Sequence, residues 1–370
     1  MPKNTIWNAS AIFPFTNPSP SMYRFFRPFL FKLDPENAHR MTLQLVRLAG
    51  VMPPSRRFLQ ALFAAPEKPV EVFGLKFKNA VGLAAGYDKD GIAIQGLATL
   101  GFGHLEIGTV TPRPQAGNPR PRVFRLVEDQ ALINRMGFPG QGATYATDNL
   151  HRALKGLRAR RTSGANQRPI IGVNLGKNKD TPLEEAANDY VSLMKSFSAL
   201  ADYLAINVSS PNTAGLRRLQ CRDMLENLLG TIAGERRSNA QLLDRRTPIL
   251  VKLAPDLSEE ELDDALDVIL RNGMDGVIAT NTTLERPGLR SHYQAETGGL
   301  SGSPLRIRSE AVLAQVLKRL DGRIPVVSAG GIMSPEDAKH RLDMGAALVQ
   351  VYTGLVYAGP GLVQKIIRAV

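Results

Sequence analysis

The sequence has 370 residues, 43% of them hydrophobic, a formal net charge of +12 and one cysteine. That length suits one large α/β barrel or two ordinary domains, and the apolar fraction argues against a disordered chain. The single Cys221 excludes an internal disulfide framework and any multi-cysteine metal or iron–sulfur site.

No segment approaches the ~18 uninterrupted apolar residues of a membrane span, and no short repeat is visible. Residues 1–21 contain one Lys and prolines at 14, 18 and 20, a poor signal or transit peptide. They are expected to be a disordered extension, or to precede a start at Met22. Residues 22–66 read as a basic amphipathic head. It opens with Tyr23, Phe25, Phe26, Phe29 and Phe31 interleaved with Arg24, Arg27 and Lys32. Asp34-Pro35-Glu36 is a helix start, with Pro at the first helical position and an acid in the first turn. Ala38, Met41, Leu45 and Leu48 follow at helical spacing. A third segment, Arg57 to Ala65, carries Phe58, Leu59, Leu62 and Phe63. Residues 1–66 hold eight Lys and Arg against Asp34 and Glu36, which is half of the net charge. Such stripes either pack on the chain's own core or lie on an anionic lipid surface, and both hold if one face docks while the other inserts. The second basic cluster, Lys155 to Arg168, reads as a solvated helix end and loop.

Residues 67–370 alternate β-rich and helical runs. Candidate strands are Ala80–Ala84, His104–Thr109, Ile170–Asn174, Tyr203–Val208, Ile249–Leu253, Gly276–Thr280, Val326–Ala329 and Leu348–Tyr352. Crossover helices fit between them, such as Leu257–Asn272 and Ser334–Met344, each with a capping-box-like start. Eight strand–helix units predict a (β/α)8 TIM barrel with its site at the strand C-termini. A doubly wound fold would need Gly-x-Gly-x-x-Gly after the first strand. The nearest match, Gly101-Phe102-Gly103-His104-Leu105-Glu106, precedes a strand and ends in Glu.

The predicted strand ends are polar but almost free of acids. They carry Ala84-Ala85-Gly86-Tyr87-Asp88-Lys89, Thr109, Asn174, Asn207 through Thr213, Lys252, Thr280-Asn281-Thr282, Gly330-Gly331 and Tyr352-Thr353. Amide and ammonium donors in this number suit an anion or an electron-rich ring. Lys252, inside the apolar run Pro248–Pro255, needs a partner to offset its desolvation. The glycine-rich runs Gly298–Gly302 and Ser328–Gly331 are read as turns able to cradle a phosphate through backbone N–H groups.

These stretches resemble the class 2, quinone-dependent dihydroorotate dehydrogenases from about Met22 to the C-terminus. The resemblance is carried by Ala84–Lys89, Glu106-Ile-Gly-Thr-Val-Thr-Pro-Arg-Pro-Gln115, Gly117–Arg125, Asn134-Arg-Met-Gly-Phe138, Asn207-Val-Ser-Ser-Pro-Asn-Thr213, Thr280–Thr283 and Gly298–Gly302. It implies oxidation of dihydroorotate to orotate in pyrimidine biosynthesis, with flavin mononucleotide (FMN) taking the hydride and a membrane quinone receiving the electrons. The implied FMN contacts are Ala84, Ala85, Gly86, Lys89, Thr109, Asn134, Asn174, Asn207, Lys252, Thr280, Ser301, Gly302, Gly330, Gly331, Tyr352 and Thr353. For the substrate they are Lys89, Asn134, Arg135, Met136, Gly137, Phe138, Asn207, Asn212, Asn281 and Thr282. Ser210 resembles the catalytic base, with Thr213 as the candidate relay, directly or through a water. His39, Arg125 and Tyr352 are implied near the quinone.

The resemblance also implies that the N-terminal helices rest on the anionic cytoplasmic face of a bacterial inner membrane. A soluble class 1 enzyme would have cysteine at position 210 and no basic amphipathic head. A non-redox phosphate-binding barrel would normally carry a carboxylate or a Schiff-base lysine at its strand ends. Nucleic-acid binding has only the charge in its favour and no motif, so no nucleic acid is expected. After Gly137-Phe138 the family usually has Asn; this chain has Pro139, which lacks both the backbone donor and the side-chain amide.

Overall fold

The computed structural model describes residues 21–161 and 168–370. The N-terminal extension through residue 20 and the loop expected at Thr162–Asn166 lie outside the described residues. Three helices open the chain: α1 (Ser21–Lys32), α2 (Pro35–Val51) and α3 (Pro53–Leu62). A hairpin of β1 (Val70–Val72) and β2 (Leu75–Phe77) follows. Its two-residue turn, Phe73 at φ 57° and Gly74 at φ 71°, has the paired positive φ of a tight hairpin.

The first half of the body runs β3 (Val81–Leu83), α4 (Ile94–Leu97), β4 (His104–Val110), β5 (Val123–Leu126), β6 (Ala131–Asn134), α5 (Gly142–Arg161), β7 (Ile170–Leu175), α6 (Ala186–Phe197) and β8 (Tyr203–Asn207). The second half runs α7 (Arg222–Leu243), β9 (Ile249–Leu253), α8 (Glu259–Arg271), β10 (Gly276–Ala279), β11 (Gly299–Gly302), α9 (Arg306–Leu320), β12 (Val326–Ala329), α10 (Pro335–Asp343), β13 (Leu348–Val351), α11 (Thr353–Ala358) and α12 (Gly361–Ala369).

Eight parallel strands close into a barrel in the order β10-β12-β13-β3-β4-β7-β8-β9. They are the eight expected strands, with ends within two residues. Each is buried on both faces, as a barrel strand wrapped in helices must be, which is why each reads as an apolar run. Both expected capping boxes are present, Ser258 with Glu261 and Ser334 with Asp337. The β1–β2 hairpin plugs the N-terminal mouth, where Val72 and Phe77 pack on Ile170, Tyr203, Leu250 and Ile278.

The sequence reading missed a small antiparallel sheet, ordered β11-β6-β5. Its strands come from the segments after β4 and β10, so it stands over the C-terminal mouth. Gly299–Gly302, expected as a turn, is its strand β11, paired in register with Asn134 through Ala131. A side chain at Gly299 would strike Thr282, its Cβ falling 1.9 Å from the hydroxyl.

The head is built onto the barrel. Helix α2 meets α4 backbone to backbone, since a Cβ at Gly50 would fall 2.3 Å from the Gly96 nitrogen. Leu43 enters the main core, and Ala38 is buried beside it. Helix α1 leans on α11, with the Tyr23 hydroxyl donating to the Val356 carbonyl at 2.6 Å and the Phe31 ring edge-on to Tyr357. The expected stripe on α2 therefore splits: Ala38 turns inward, whereas Met41, Leu45 and Leu48 stay exposed. Phe25 and Phe29 are each 70% exposed and Phe58 60%, so the outer face of the head is apolar. Among the described residues no helix is long and apolar enough to cross a membrane.

Candidate active site

A cavity opens at the C-terminal ends of the barrel strands, beneath the small sheet. Its open mouth included, it holds about 1120 Å³ of empty space. Most of the expected cofactor residues line it: Ala84, Ala85, Gly86, Lys89, Thr109, Asn134, Asn207, Lys252, Thr280, Ser301, Gly302, Gly330, Gly331, Tyr352 and Thr353. Of the expected substrate residues, Asn212, Asn281, Thr282, Met136, Gly137 and Phe138 share the wall with Ser210.

Others stand off it. Asn174 is fully buried one layer below, accepting from the Thr109 hydroxyl at 2.6 Å and from the Asn207 amide at 3.0 Å. Arg135 points outward, paired with Glu296 and stacked over Phe124. Thr213 is buried, and its hydroxyl has no hydrogen-bond partner among the described residues. Pro139 faces a separate outer cleft, shared with His39 and Arg120, so its ring does not line the cavity. Its loop is held instead by Gln115, whose amide donates to the Gly137 and Phe138 carbonyls.

The electrostatics suit an anion. Among the described residues two cations, Lys89 and Lys252, line the cavity, and no carboxylate does. Burial lowers the Lys89 ammonium to about 8, against the opposing pull of Glu36 and Asp90. Burial also lowers Lys252, with Glu106 opposing. Among the described residues the Lys252 ammonium has no hydrogen-bond acceptor, so it stands ready for a ligand's. Ser210 sits in the loop after β8, its oxygen accepting the Asn212 N–H at 3.3 Å. The Asn212 amide donates to the Asn134 side chain at 3.1 Å, and its side-chain oxygen is buried without a donor among the described residues.

Arg217 clamps this loop. It donates to the Ser209 carbonyl at 3.1 Å and the Thr282 carbonyl at 2.8 Å while paired with Asp256. Sequence reasoning missed Arg217, just beyond the Asn207–Thr213 motif. It also missed Gln350, two residues before Tyr352 and so on the same strand face. Val123 and Leu132 of the small sheet complete the wall, with no motif to announce them.

The cavity fits a flavin. Leu305, Ile332 and Met333 give it apolar wall, and the glycines bring backbone close to a ligand. Gly330 and Gly331, at φ 103° and 71°, lie where a side chain is disfavoured, and a Cβ at Gly331 would meet Arg306 backbone at 2.3 Å. Ser301 and Thr353 hydroxyls stand 2.8 Å apart beside them, a donor set suited to phosphate.

The head reaches this cavity through rings. His39 of α2 meets Tyr87 edge-on with centroids 4.8 Å apart, and Tyr87 meets Tyr352 at 5.6 Å. Burial holds His39 down at about 4, so it is neutral near pH 7. Arg125 lies 4.2 Å over the Phe31 ring and donates to the Phe31 and Leu33 carbonyls at the end of α1.

Comparison with known proteins agrees with this arrangement. The family model described as dihydroorotate dehydrogenase matches residues 68–370. The chain belongs to the dihydroorotate dehydrogenase family. A relative from Halorhodospira halophila, named dihydroorotate dehydrogenase (quinone), is 50% identical over 94% of this chain and 97% of its own. Another of that name, from Methylococcus capsulatus, is 47% identical over 93% and 97%. The crystal structure of DHODH from Eimeria tenella in complex with ferulenol superposes with a TM-score of 0.82 at 39% identity, covering 91% of this chain and 90% of that one. This family is a flavin-dependent one, and its members are oxidoreductases.

Proposed function

We propose that the chain oxidises dihydroorotate to orotate in pyrimidine biosynthesis and passes the electrons to a quinone, with FMN as its flavin and Ser210 as the base. The observation that carries this reading is the cavity itself: a glycine-lined slot with cations and amides on its wall and Ser210 on the substrate side. FMN, when bound, supplies a hydride acceptor that is reoxidised by quinone.

The chain's own residues do the rest. Lys89 holds the substrate carboxylate by charge, while Asn134, Asn207, Asn212 and Asn281 meet the ring amides. Ser210 takes the C5 proton. Its unperturbed pKa lies far above neutrality, so the proton must be passed on, and Thr213, buried with an unpartnered hydroxyl, is the candidate relay. Phe138 and the small sheet exclude water from the reacting face. On the other side Lys252 faces the cofactor ring, and the backbone at Gly302 and Gly330-Gly331 takes the phosphate.

Quinone approaches from the head, where neutral His39, Arg125 and Tyr352 stand between α1, α2 and the cavity. The exposed face of Phe25, Phe29, Met41, Leu45 and Phe58, flanked by Arg24, Arg47 and Arg57, rests on an anionic membrane. The membrane is the bacterial inner membrane, contacted on its cytoplasmic side.

The test is the absorbance spectrum of the purified protein before and after dihydroorotate is added without oxygen. A yellow protein that bleaches is the expected result. A flavin that stays oxidised would reopen the substrate, and a colourless protein that cannot be reconstituted with FMN would overturn the reading.

A further inference from the structure

Beneath the cavity floor lies a buried polar cluster that the mechanism above leaves unused. Its centre is Glu106 of β4, 1% exposed inside the barrel. A carboxylate taken out of water needs compensation. Glu106 finds it in three neutral donors: the Asn174 amide at 2.9 Å on one oxygen, and the Tyr203 hydroxyl at 2.9 Å and the Gln350 amide at 2.8 Å on the other. Lys252 adds a cation whose charge it favours.

A carboxylate only accepts hydrogen bonds, whereas an Asn side chain can turn either way. Asn174 must therefore show its NH2 to Glu106, which leaves its carbonyl oxygen toward Thr109 and Asn207. Asn207 must in turn present its NH2 to Asn174. Its own oxygen then faces Ser209 and the Asn281 amide, at 3.2 and 3.3 Å. One buried charge thus sets the direction of three amides, one in β7, one at the end of β8 and one just beyond β10; two of them, Asn207 and Asn281, line the cavity.

We infer that Glu106 is a positioning residue for the dehydrogenase reaction: it fixes the donor and acceptor sense of the Asn174–Asn207–Asn281 relay and balances the charge of Lys252 under the flavin. This rests on the cavity being the FMN site. A carboxamide at position 106 could both donate and accept, so both senses of the relay would become available. It would also remove a negative charge from beneath the ring, which favours the reduced form.

The experiment compares Glu106→Gln with wild-type holoenzyme by flavin midpoint potential, visible spectrum, KM for dihydroorotate and melting temperature of the FMN-free protein. Glu106→Gln is expected to shift the potential upward and to raise KM roughly tenfold, the scale of one lost hydrogen bond. Tyr203→Phe removes one donor without freeing the relay, and should lower the melting temperature with potential and spectrum unchanged. A Glu106→Gln protein that melts earlier but keeps wild-type potential and KM would overturn the inference and leave Glu106 a structural hub. If Glu106→Gln does not fold, Asn174→Ser breaks the relay with the charge in place, and an unchanged KM there would overturn it equally. Failure of wild type to bind FMN would instead count against the functional reading.

Discussion

Ser210, the proposed base, is a weak one and depends on its placement. Its oxygen accepts the Asn212 N–H, a contact that favours negative charge on the oxygen as the proton leaves. Ser210→Ala should leave FMN bound while slowing its reduction by dihydroorotate by about 10²–10⁴-fold, the usual worth of a positioned base. Stopped-flow bleaching measures this, and a wild-type rate in that variant would remove Ser210 from the mechanism. Lys89 sets a second limit at the same scale. Burial brings it from near 10.5 to about 8, so the folded protein disfavours the charged form. The free enzyme loses this cation as pH rises through about 8, and KM for dihydroorotate should climb above that pH. Bound carboxylate restores the charge, so kcat should change less than kcat/KM. The stability sign is the reverse: holding Lys89 charged costs stability below about pH 8, and the cost fades between pH 8 and 10.5.

Helix α2 does two jobs with two faces. Gly50 seats it on α4, where backbone lies on both sides of the contact and cannot yield. Gly50→Ala should cost about 1–3 kcal/mol through overpacking, read as a lower melting temperature. Because α2 carries His39, quinone reduction should fall more than reduction by dihydroorotate; equal losses would detach α2 from the second half-reaction. The outer face, continued by α1, is free of such packing. Phe25→Ser with Phe29→Ser should abolish partition to anionic vesicles and turnover with membrane-embedded quinone, while bleaching by dihydroorotate stays at the wild-type rate. Vesicle binding that survives both changes would place the membrane contact elsewhere. Deleting the whole head is a poorer test, since Leu43 belongs to the barrel's core.

At the scale of the whole molecule, barrel and head share one core, and the head reaches the barrel's cavity through the His39, Tyr87 and Tyr352 rings. The eight strands and the helices between them were legible because every barrel strand is buried on both faces and therefore reads as an apolar run with a polar end. The strand-end motifs, from Ala84–Lys89 to Tyr352-Thr353, were legible because ligand-binding residues cluster there in any such barrel. The small sheet was not, since β5, β6 and β11 are four-residue strands and β11 joins the β5–β6 hairpin from a distant part of the chain. Nor could spacing tell Asn174 from Asn207. Both fall in the last two residues of their strands, yet Asn207 lines the cavity and Asn174 lies beneath it, because strand tilt and register set depth within a barrel. Glu106 stood in plain view inside a motif without a role, for its partners Asn174, Tyr203 and Gln350 lie 68, 97 and 244 positions away. What the sequence by itself determined was local: the alternation of strands and helices, the chemistry of each strand end, and a basic head with apolar stripes. Which of those polar groups face a ligand, which support them from below, and which face of the head stays bare were decided only when barrel closure brought distant segments into contact.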